Sequence, residues 1–282
     1  MIFPQTTLNC AGTLLDLSEP KVMGIINLTP DSFFAGSRKT GEEAVLATAA
    51  QMLEDGAAIL DLGGMSSRPG AETISVEKEL QRVISPIQAI KTRFPKAIIS
   101  IDTVHSRVAR EAVAAGAAIV NDISAGSMDE DMYGTVAELR VPYILMHMQG
   151  SPKTMQHAPN YEDVVQEVLD FLIAEVHQLR KLGLHDVIID PGFGFGKTLE
   201  QNYQLLAKLH VFQILEVPIL AGVSRKSMIY KLLQTTPEKA LHGSTAAHVL
   251  ALQQGARLLR VHDVKAACDA VRVWQETEKF KR

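Results

Sequence analysis

The stretch Asp186-Val-Ile-Ile-Asp190 runs directly into Pro191-Gly-Phe-Gly-Phe-Gly-Lys197. Its apolar part is typical of a buried parallel strand. The proline and the three glycines that follow end the strand in an irregular loop. A carboxylate therefore stands at the carboxyl end of a strand, which is where α/β barrels keep their chemistry. Taken alone, the stretch is explained equally well by a glycine-rich turn with a solvated aspartate.

The stretch is not isolated, because polar residues follow short apolar runs throughout the chain. These residues are Asn27, Asp61, Asp102, Asn121, His147, Ser224 and His262. The carboxyl ends of parallel strands meet at one edge of a sheet or at one mouth of a barrel. We therefore expect Asn27, Asp102, Asn121, Asp190, Lys226 and His262 to converge on one cavity.

Strands and helices alternate along the chain in eight pairs. Strands are predicted at 22–26, 57–62, 97–101, 118–120, 143–146, 186–190, 217–221 and 257–261. Helices are predicted at 42–54, 76–94, 106–115, 129–139, 161–182, 199–212 and 264–279, and residues 228–254 are predicted to be helical in two parts, broken around residues 235–237. The pattern predicts an α/β fold, a (β/α)8 TIM barrel that forms a single domain over residues 1–282. A small N-terminal hairpin, residues 6–18, is expected to plug its bottom. A doubly wound sheet is the alternative, but it leaves two or three units unplaced.

The composition excludes some classes of protein. Lys and Arg number 28 against 32 Asp and Glu, without a basic stripe, which argues against nucleic-acid binding. No apolar run is long enough to predict a membrane span, and the N-terminus has no pattern of a signal peptide. The chain has two cysteines, Cys10 and Cys268, which favours a reduced cytoplasmic protein.

The loops after the seventh and eighth predicted strands favour an anion site. They carry Ser224, Arg225, Lys226, Ser227, Arg260 and His262. Barrels often bind phosphate at this place, and a helix that starts near Ser227 would offer free backbone N–H groups. A surface ion pair is the other explanation for any single arginine here.

The opposite side of the expected mouth is acidic and amide-rich, with Asp102, Asn121 and Asp190. Such a set suits a flat heterocycle with several N–H donors, but it also suits a general acid/base pair or a metal site. Met146, Met148, Phe193 and Phe195 are candidates to line the same cavity. Core packing is the other explanation for each of them, and for Met148 and Phe193 it is the one we favour.

Five motifs in this order resemble dihydropteroate synthases, from about residue 7 to the C-terminus. The motifs are Asn27-Leu-Thr-Pro-Asp-Ser-Phe33, Ser67-Arg-Pro-Gly70, Asp190-Pro-Gly-Phe-Gly-Phe-Gly-Lys197, Ser224-Arg-Lys-Ser227 and Arg260-Val-His262. The resemblance implies a pterin-binding barrel. It also implies a transferase of folate biosynthesis that joins 6-hydroxymethyl-7,8-dihydropterin pyrophosphate to 4-aminobenzoate and releases pyrophosphate.

The resemblance also assigns roles to residues. Pterin would be held by Asp102, Asn121, Met146, Asp190 and Lys226, of which Asp102, Asp190 and Lys226 would be catalytic. Pyrophosphate would be held by Asn27, Arg68, Arg260 and His262, and Asn27 would help to bind Mg²⁺ as the cofactor. Aminobenzoate would be held by Ser67, Arg68, Pro69, Phe195, Lys226 and Ser227. A homodimer formed through the last helices is implied as well.

Two expected lid loops, residues 27–40 and 63–75, depart from the family pattern. The first usually reads Asp-Ser-Phe-Ser-Asp-Gly-Gly, and Ala35 replaces its second acid. The second usually reads Gly-Gly-Glu-Ser-Thr-Arg-Pro-Gly, and here Met65 replaces the glutamate and Ser67 the threonine. We expect an active synthase whose lids pack through Phe33, Phe34 and Met65 and close differently over aminobenzoate. The alternatives are a catalytically impaired pterin-binding paralogue and a methyltetrahydrofolate:corrinoid methyltransferase.

Overall fold

The structure is a computed structural model that describes residues 5–28, 38–66, 74–151, 155 and 159–280. Its strands are β1 (Thr7–Cys10), β2 (Thr13–Asp16), β3 (Lys21–Asn27), β4 (Ile59–Gly63), β5 (Ile98–Asp102), β6 (Ile119–Asp122), β7 (Tyr143–Met146), β8 (Val187–Asp190), β9 (Leu220–Ala221) and β10 (Leu258–Val261). Its α-helices are α1 (Arg38–Glu54), α2 (Val76–Arg93), α3 (Ser106–Ala115), α4 (Met132–Leu139), α5 (Val164–Lys181), α6 (Leu199–Ala207), α7 (Ser227–Leu232), α8 (Leu241–Gln253) and α9 (Val264–Glu278).

Strands β3 to β10 form one parallel sheet in the order β8-β7-β6-β5-β4-β3-β10-β9. The two edge strands meet through a parallel bridge between Ile189 and Ile219. The Ile189 N–H also donates to the Pro218 carbonyl at 3.0 Å. The sheet thus comes nearly full circle, with helices between its strands. The predicted (β/α)8 barrel is confirmed, and the doubly wound alternative is wrong. The assignment of residues 1–282 to one domain stays a prediction.

Alternation along the strands divides the buried residues into two layers. In β4, Leu60 and Leu62 pack outward with Val83 and Ile87 of α2, and all four are fully buried. Ile59 belongs instead to a separate apolar cluster inside the bottom of the barrel. Because side chains alternate across a strand, the residue two positions beyond each bottom residue also faces the interior.

The interior changes from apolar to polar within one such step. The bottom residues Ile59, Ile119, Ile188 and Leu258 are followed two positions later by Asp61, Asn121, Asp190 and Arg260. The same short strands therefore supply both a dry floor and a polar mouth. This explains why apolar runs in the sequence end in polar residues.

The N-terminal hairpin closes the bottom of the barrel, as predicted. Strands β1 and β2 pair antiparallel across a turn at Ala11 and Gly12, both of which have positive φ. Leu8 and Leu17 are fully buried against the bottom cluster. The hairpin thus covers the interior residues that the helices cannot reach.

The largest differences from the predicted boundaries occur near prolines. The strand expected at 217–221 is reduced to Leu220–Ala221, since Pro218 has no N–H and takes part only through its carbonyl. The helical stretch 228–254, expected in two parts broken around residues 235–237, consists of α7 and α8 separated by a short 3-10 turn that starts at Pro237, so the predicted break is confirmed. The helix expected at 199–212 ends at Ala207 and continues as a 3-10 turn, Leu209–Leu215. Within the described residues, no helix is long and apolar enough to cross a lipid bilayer.

The hairpin provides a matched pair of leucines for testing its role as a plug. Leu8 is fully buried, whereas Leu14 on the partner strand is 72% exposed. We expect Leu8→Ala to lower the free energy of unfolding by about 2–5 kcal/mol, because it leaves a cavity in the floor. Leu14→Ala should change it by less than about 0.5 kcal/mol. Urea denaturation measures both, and equal effects would show that the hairpin does not stabilise the barrel.

Candidate active site

The strand register brings one row of residues together at the carboxyl edge of the sheet. Asn27 lies opposite Gly63, Gly63 opposite Asp102, and Asp102 opposite Asn121. Neighbours in a parallel register point to the same side of the sheet. The predicted convergence of Asn27, Asp102 and Asn121 is therefore a consequence of pairing, and it places an amide, a carboxylate and a second amide side by side.

Arg260 links this row to the interior. Its Nε donates to Asp61 Oδ2 at 2.7 Å, and one terminal nitrogen donates to Asp102 Oδ2 at 2.7 Å. Asn121 Nδ2 also donates to Asp61 Oδ2, at 3.2 Å. These residues come from β4, β5, β6 and β10, so the contacts cross the barrel. Asp61 is fully buried, and its other oxygen, Oδ1, has no hydrogen-bond partner among the described residues.

Burial dominates the charge state of these carboxylates. The pKa of Asp102 is raised to about 7, mainly by burial and also by the charges of Asp61 and Asp122, while Arg260 and Lys226 oppose the shift. Burial also raises the pKa of Asp190, against the effects of Lys226, the Gly192 N–H and Arg260. For Arg260, burial lowers the pKa, but the charges of Asp61 and Asp102 outweigh it and the net shift is upward. The mouth therefore holds poorly solvated carboxyls beside a permanent cation.

Asp190 and Lys226 face each other across Gly222. A Cβ atom on Gly222 would lie 3.5 Å from Asp190 Oδ2 and 3.8 Å from Lys226 Nζ, so both polar groups reach the space that glycine leaves open. Asp190 Oδ1 accepts from the Gly192 N–H at 2.8 Å. Burial lowers the pKa of Lys226 to about 8, and Asp190 opposes this shift. The predicted approach of Asp190 and Lys226 is thus present in the structure.

The two phenylalanines of the glycine-rich loop, residues 191–197, have different environments. Phe193 is fully buried in the main core, as favoured from the sequence, while its carbonyl accepts from Lys226 Nζ. The Phe195 ring lies under Lys226, with Nζ 4.4 Å from its centroid. Gly192 has φ +74°, and a Cβ atom there would lie 1.8 Å from the His147 carbonyl. No other residue fits at this position of the loop.

An apolar wall lines the same mouth. Met65, Val104, Ile123 and Met146 form a buried cluster, and Ile74, Met128, Met148 and Phe195 pack against it. Met146 and Phe195 therefore lie where the sequence placed them. Met148 joins the mouth cluster as a half-buried residue. Met65, which replaces the usual glutamate of the second loop, packs into this wall, whereas its expected packing with Phe33 and Phe34 falls outside the described residues.

The anion side contains fewer cations than the sequence suggested. Ser224 Oγ lies 3.1 Å from His262 Nδ1, and it accepts from the His262 N–H at 3.2 Å. Arg225 does not join them. It makes a bidentate ion pair with Asp263, at 2.7 and 2.8 Å, and donates to the carbonyls of Pro237 and Glu238. The inclusion of Arg225 in an anion site is therefore wrong, since its guanidinium is used to fix the loop before α7.

Besides Met65, the structure describes Ser227 and Asn27 but not the remaining predicted residues of the two expected lid loops. Ser227 is the first residue of α7 and is half-buried next to Lys226. Asn27 ends β3, and its side chain makes no hydrogen bond to another described residue. Ser67, Arg68 and Pro69, together with Phe33, Phe34 and Ala35, lie outside the described residues. Of the described chain, no group of three or more His, Cys, Asp or Glu side chains is arranged to hold a metal ion.

Three residues of the site were missed as members of it, although the sequence contained a signal for each. Asp61 and His147 follow apolar runs, and Lys197 closes the glycine-rich loop. Asp61 proves to be the second partner of Arg260. Lys197 is only 3% exposed, and its Nζ lies 2.9 Å from His147 Nδ1. The sequence indicated where these residues lie, at strand ends and at the end of the loop. It could not indicate their partners, because Arg260 and His147 are distant in the chain from Asp61 and Lys197.

Comparisons with known proteins agree with this geometry. The family described as pterin binding enzyme matches residues 23–262. A dihydropteroate synthase of Escherichia coli K12 is 48% identical over 272 residues, which cover 96% of each chain.

Two solved structures of Xanthomonas albilineans dihydropteroate synthase have the same fold. The one with 4-aminobenzoic acid has a TM-score of 0.90 and 47% identity, covering 97% of this chain and 98% of the other. The one in complex with 7,8-dihydropteroate has a TM-score of 0.86 and 45% identity, covering 96% and 98%. The chain thus belongs to the pterin-binding enzymes and, within them, to the dihydropteroate synthase family.

Proposed function

We propose that this chain condenses 6-hydroxymethyl-7,8-dihydropterin pyrophosphate with 4-aminobenzoate, giving 7,8-dihydropteroate and pyrophosphate. One observation carries the proposal: desolvated carboxyls and cations meet in a single mouth that also has an apolar wall. Asp102, Asn121 and Asp190 supply acceptors, Arg260 and Lys226 supply positive charge, and Met146 supplies an apolar surface. A flat, N–H-rich ring that carries a diphosphate needs all three.

The proposal of pterin binding is based on the burial of the carboxyl groups of Asp102 and Asp190. Asp102 and Asp190 each accept one hydrogen bond to a single oxygen, and a buried carboxylate with remaining lone pairs gains most from a ligand that donates N–H groups. The pterin ring has a guanidine-like edge of this kind, so Asp102 and Asp190 would bind that edge and Asn121 would bind beside them. The apolar face of the ring would lie against Met146.

The reaction exchanges one bond at the pterin methylene carbon for another. The C–O bond to the diphosphate breaks, and pyrophosphate leaves with the electron pair. The aminobenzoate nitrogen then forms the C–N bond and loses a proton. Positive charge develops next to the pterin ring in between, and fixed carboxylates at Asp102 and Asp190 stabilise it without reorganisation.

The leaving group needs positive charge and hydrogen-bond donors. Arg260 and His262 would hold the diphosphate from β10, and Arg68 would do so from the second loop. Asn27 fits a role in binding Mg²⁺, because its side-chain amide stands at the strand end and makes no hydrogen bond to the described residues. Mg²⁺ typically binds few protein oxygens and completes its shell with phosphate and water. When bound there, the ion would neutralise charge on the departing pyrophosphate.

Aminobenzoate would bind on the side of the mouth formed by Phe195, Lys226 and Ser227, together with Ser67, Arg68 and Pro69. The Phe195 ring under Lys226 offers an aromatic face beside a cation that suits the carboxylate. Sulfonamides share the aniline group of aminobenzoate, so they would compete for this side. Met65 is in the apolar wall that adjoins it, and the altered second loop would therefore affect this substrate first.

We also propose a homodimer and a cytoplasmic location. Leu250 of α8, Val273 of α9 and Phe280 are large apolar side chains that are 49%, 65% and 82% exposed. A dimer formed through the last helices would cover them. Cys10 and Cys268 are both free thiols, in keeping with a reducing compartment.

A turnover assay tests the proposed reaction. Purified protein is given the pterin diphosphate, 4-aminobenzoate and Mg²⁺, and pyrophosphate and dihydropteroate are quantified. We expect equal amounts of both products, with no dihydropteroate when aminobenzoate is omitted. Asp190→Asn should lower kcat/KM by roughly 100-fold, since an oriented group that stabilises the transition state is lost. Pterin binding without any turnover would instead favour the impaired paralogue.

Ser227→Ala tests the assignment of the aminobenzoate side. We expect this variant to weaken aminobenzoate binding by roughly 1.5–3 kcal/mol, because one hydrogen bond to a charged group is lost. The affinity for pterin should stay the same within error. Calorimetry with each substrate measures both values. Ser18→Ala, an exposed serine in the N-terminal hairpin, is the control that should change neither. Equal losses for both substrates would contradict the assignment.

A further inference from the structure

Lys197 is a buried lysine whose hydrogen bonds are all to the protein interior. Its side-chain nitrogen lies 2.9 Å from His147 Nδ1, 3.0 Å from the Gly192 carbonyl and 3.0 Å from the Phe195 carbonyl. A fourth and weaker contact, at 3.4 Å, is made with the His147 carbonyl. Burial lowers the pKa of Lys197 to about 7, and the charge of Asp190 opposes this shift. A lysine this deeply buried is costly, and it is retained where its hydrogen bonds fix a structure that the protein needs.

The number of acceptors matches the number of protons. An ammonium group has three N–H donors, and Lys197 has three acceptors at 3.0 Å or less. His147 can accept only when its Nδ1 is unprotonated. Burial and, to a smaller extent, the charge of Lys197 lower the pKa of His147 to about 3, so the imidazole is neutral. The ring is held edge-on against Phe171, with centroids 4.9 Å apart, which fixes its orientation.

The two loop carbonyls connect this pair to the candidate active site. The Gly192 N–H donates to Asp190, and the Gly192 carbonyl accepts from Lys197. The Phe195 carbonyl also accepts from Lys197, and the Phe195 ring lies under Lys226 in the mouth. Lys226 in turn donates to the carbonyl of Phe193. One lysine therefore binds the loop from the mouth, and the other binds it from the interior.

We propose that Lys197 and His147 form a positioning pair that sets Phe195 for the aminobenzoate side of the mouth. The inference rests on the proposed function, because it assigns that role to Phe195 and Lys226. Neither member of the pair would touch substrate. Without the pair, the carbonyls of Gly192 and Phe195 would face a buried space with no donor, and the loop would rearrange. The ring would then leave its place under Lys226, while Asp102 and Asn121 would keep theirs on other strands.

The test compares the two Michaelis constants in steady-state kinetics. Lys197→Met removes the donors at similar length, and His147→Leu removes the acceptor. We expect both variants to raise the KM for aminobenzoate by about tenfold or more, because small misplacements of a binding group have effects of that size. The KM for the pterin diphosphate should rise clearly less, because Asp102 and Asn121 lie on other strands and only Asp190 and Lys226 of the pterin site contact the loop.

His147→Asn is the conservative variant. An asparagine oxygen can take the place of Nδ1 as acceptor, so this variant should remain much closer to the wild type than His147→Leu. Should Lys197→Met fail to fold, the contrast between the two His147 variants decides by itself. Tyr143→Phe is the matched control, since it removes a buried hydrogen bond, 2.7 Å to Asp122, from the same strand as Met146. It should lower stability without changing the ratio of the two constants.

The outcomes separate this inference from the proposed function. A wild type that turns over, with variants that raise both constants equally, would overturn the positioning role alone. An unchanged KM for aminobenzoate in His147→Leu would do the same. A wild type that binds pterin but releases no pyrophosphate would overturn the proposed function and this inference with it.

Discussion

The guanidinium of Arg260, shared between Asp61 and Asp102, is the interaction on which the mouth of the barrel depends. Two carboxylates and a cation inside a protein are costly unless they pair with good geometry. Here both ion pairs are 2.7 Å long and cross the barrel from β10 to β4 and β5. The pairing allows charge to lie one step above an apolar floor. It also leaves Asp102 with oxygen lone pairs and a pKa close to neutrality.

The barrel therefore has two ends with different tasks. The bottom end is closed by apolar residues and by the N-terminal hairpin, and it contributes stability through burial. The top end holds groups that are under-solvated, such as Asp61 with one oxygen unpartnered among the described residues. Such groups reduce stability but are ready to bind a ligand. The loop 191–197 connects the buried core with the mouth. Lys197 donates to its carbonyls from the interior, and Lys226 donates to another of its carbonyls from the mouth.

The sequence predicted the strands and their polar ends well, for a physical reason. Buried parallel strands are short apolar runs, and the first residue beyond each run stands at the mouth. The direction of a side chain was harder to predict. Asp61 and Asp122 both lie near strand ends, yet Asp61 faces Arg260 inside the barrel. Asp122 instead accepts from the Tyr143 hydroxyl at 2.7 Å and from backbone N–H groups of its own loop. A shift of one residue along a strand decides between these two environments.

The ion pairs and hydrogen bonds between residues far apart in the chain could not be predicted from the sequence. Arg225 and Arg260 look alike as cations at strand ends, but one is bound to Asp263 and the other to Asp61 and Asp102. Arg225 also donates to the carbonyls of Pro237 and Glu238, so its whole guanidinium is occupied outside the mouth. The buried contact of Lys197 with His147 joins residues fifty positions apart. Motif order identified the family, whereas only the packed structure identifies which charge neutralises which.

The most direct test of this account is the pH dependence of pterin binding in wild type and in Asp61→Asn. Asp102 must be ionised to accept pterin N–H groups, so wild-type affinity should fall as the pH drops through about 7. Arg260 forms ion pairs with Asp61 and Asp102 in the described structure. In Asp61→Asn, Arg260 keeps its charge, and of these two partners only Asp102 is still a carboxylate. The pKa of Asp102 should then be lower, and binding should persist to lower pH. Asp102→Asn should remove the part of this titration that lies near pH 7. A midpoint in Asp61→Asn that stays the same or moves to higher pH would contradict the claim that one shared guanidinium sets the charge of the pterin site.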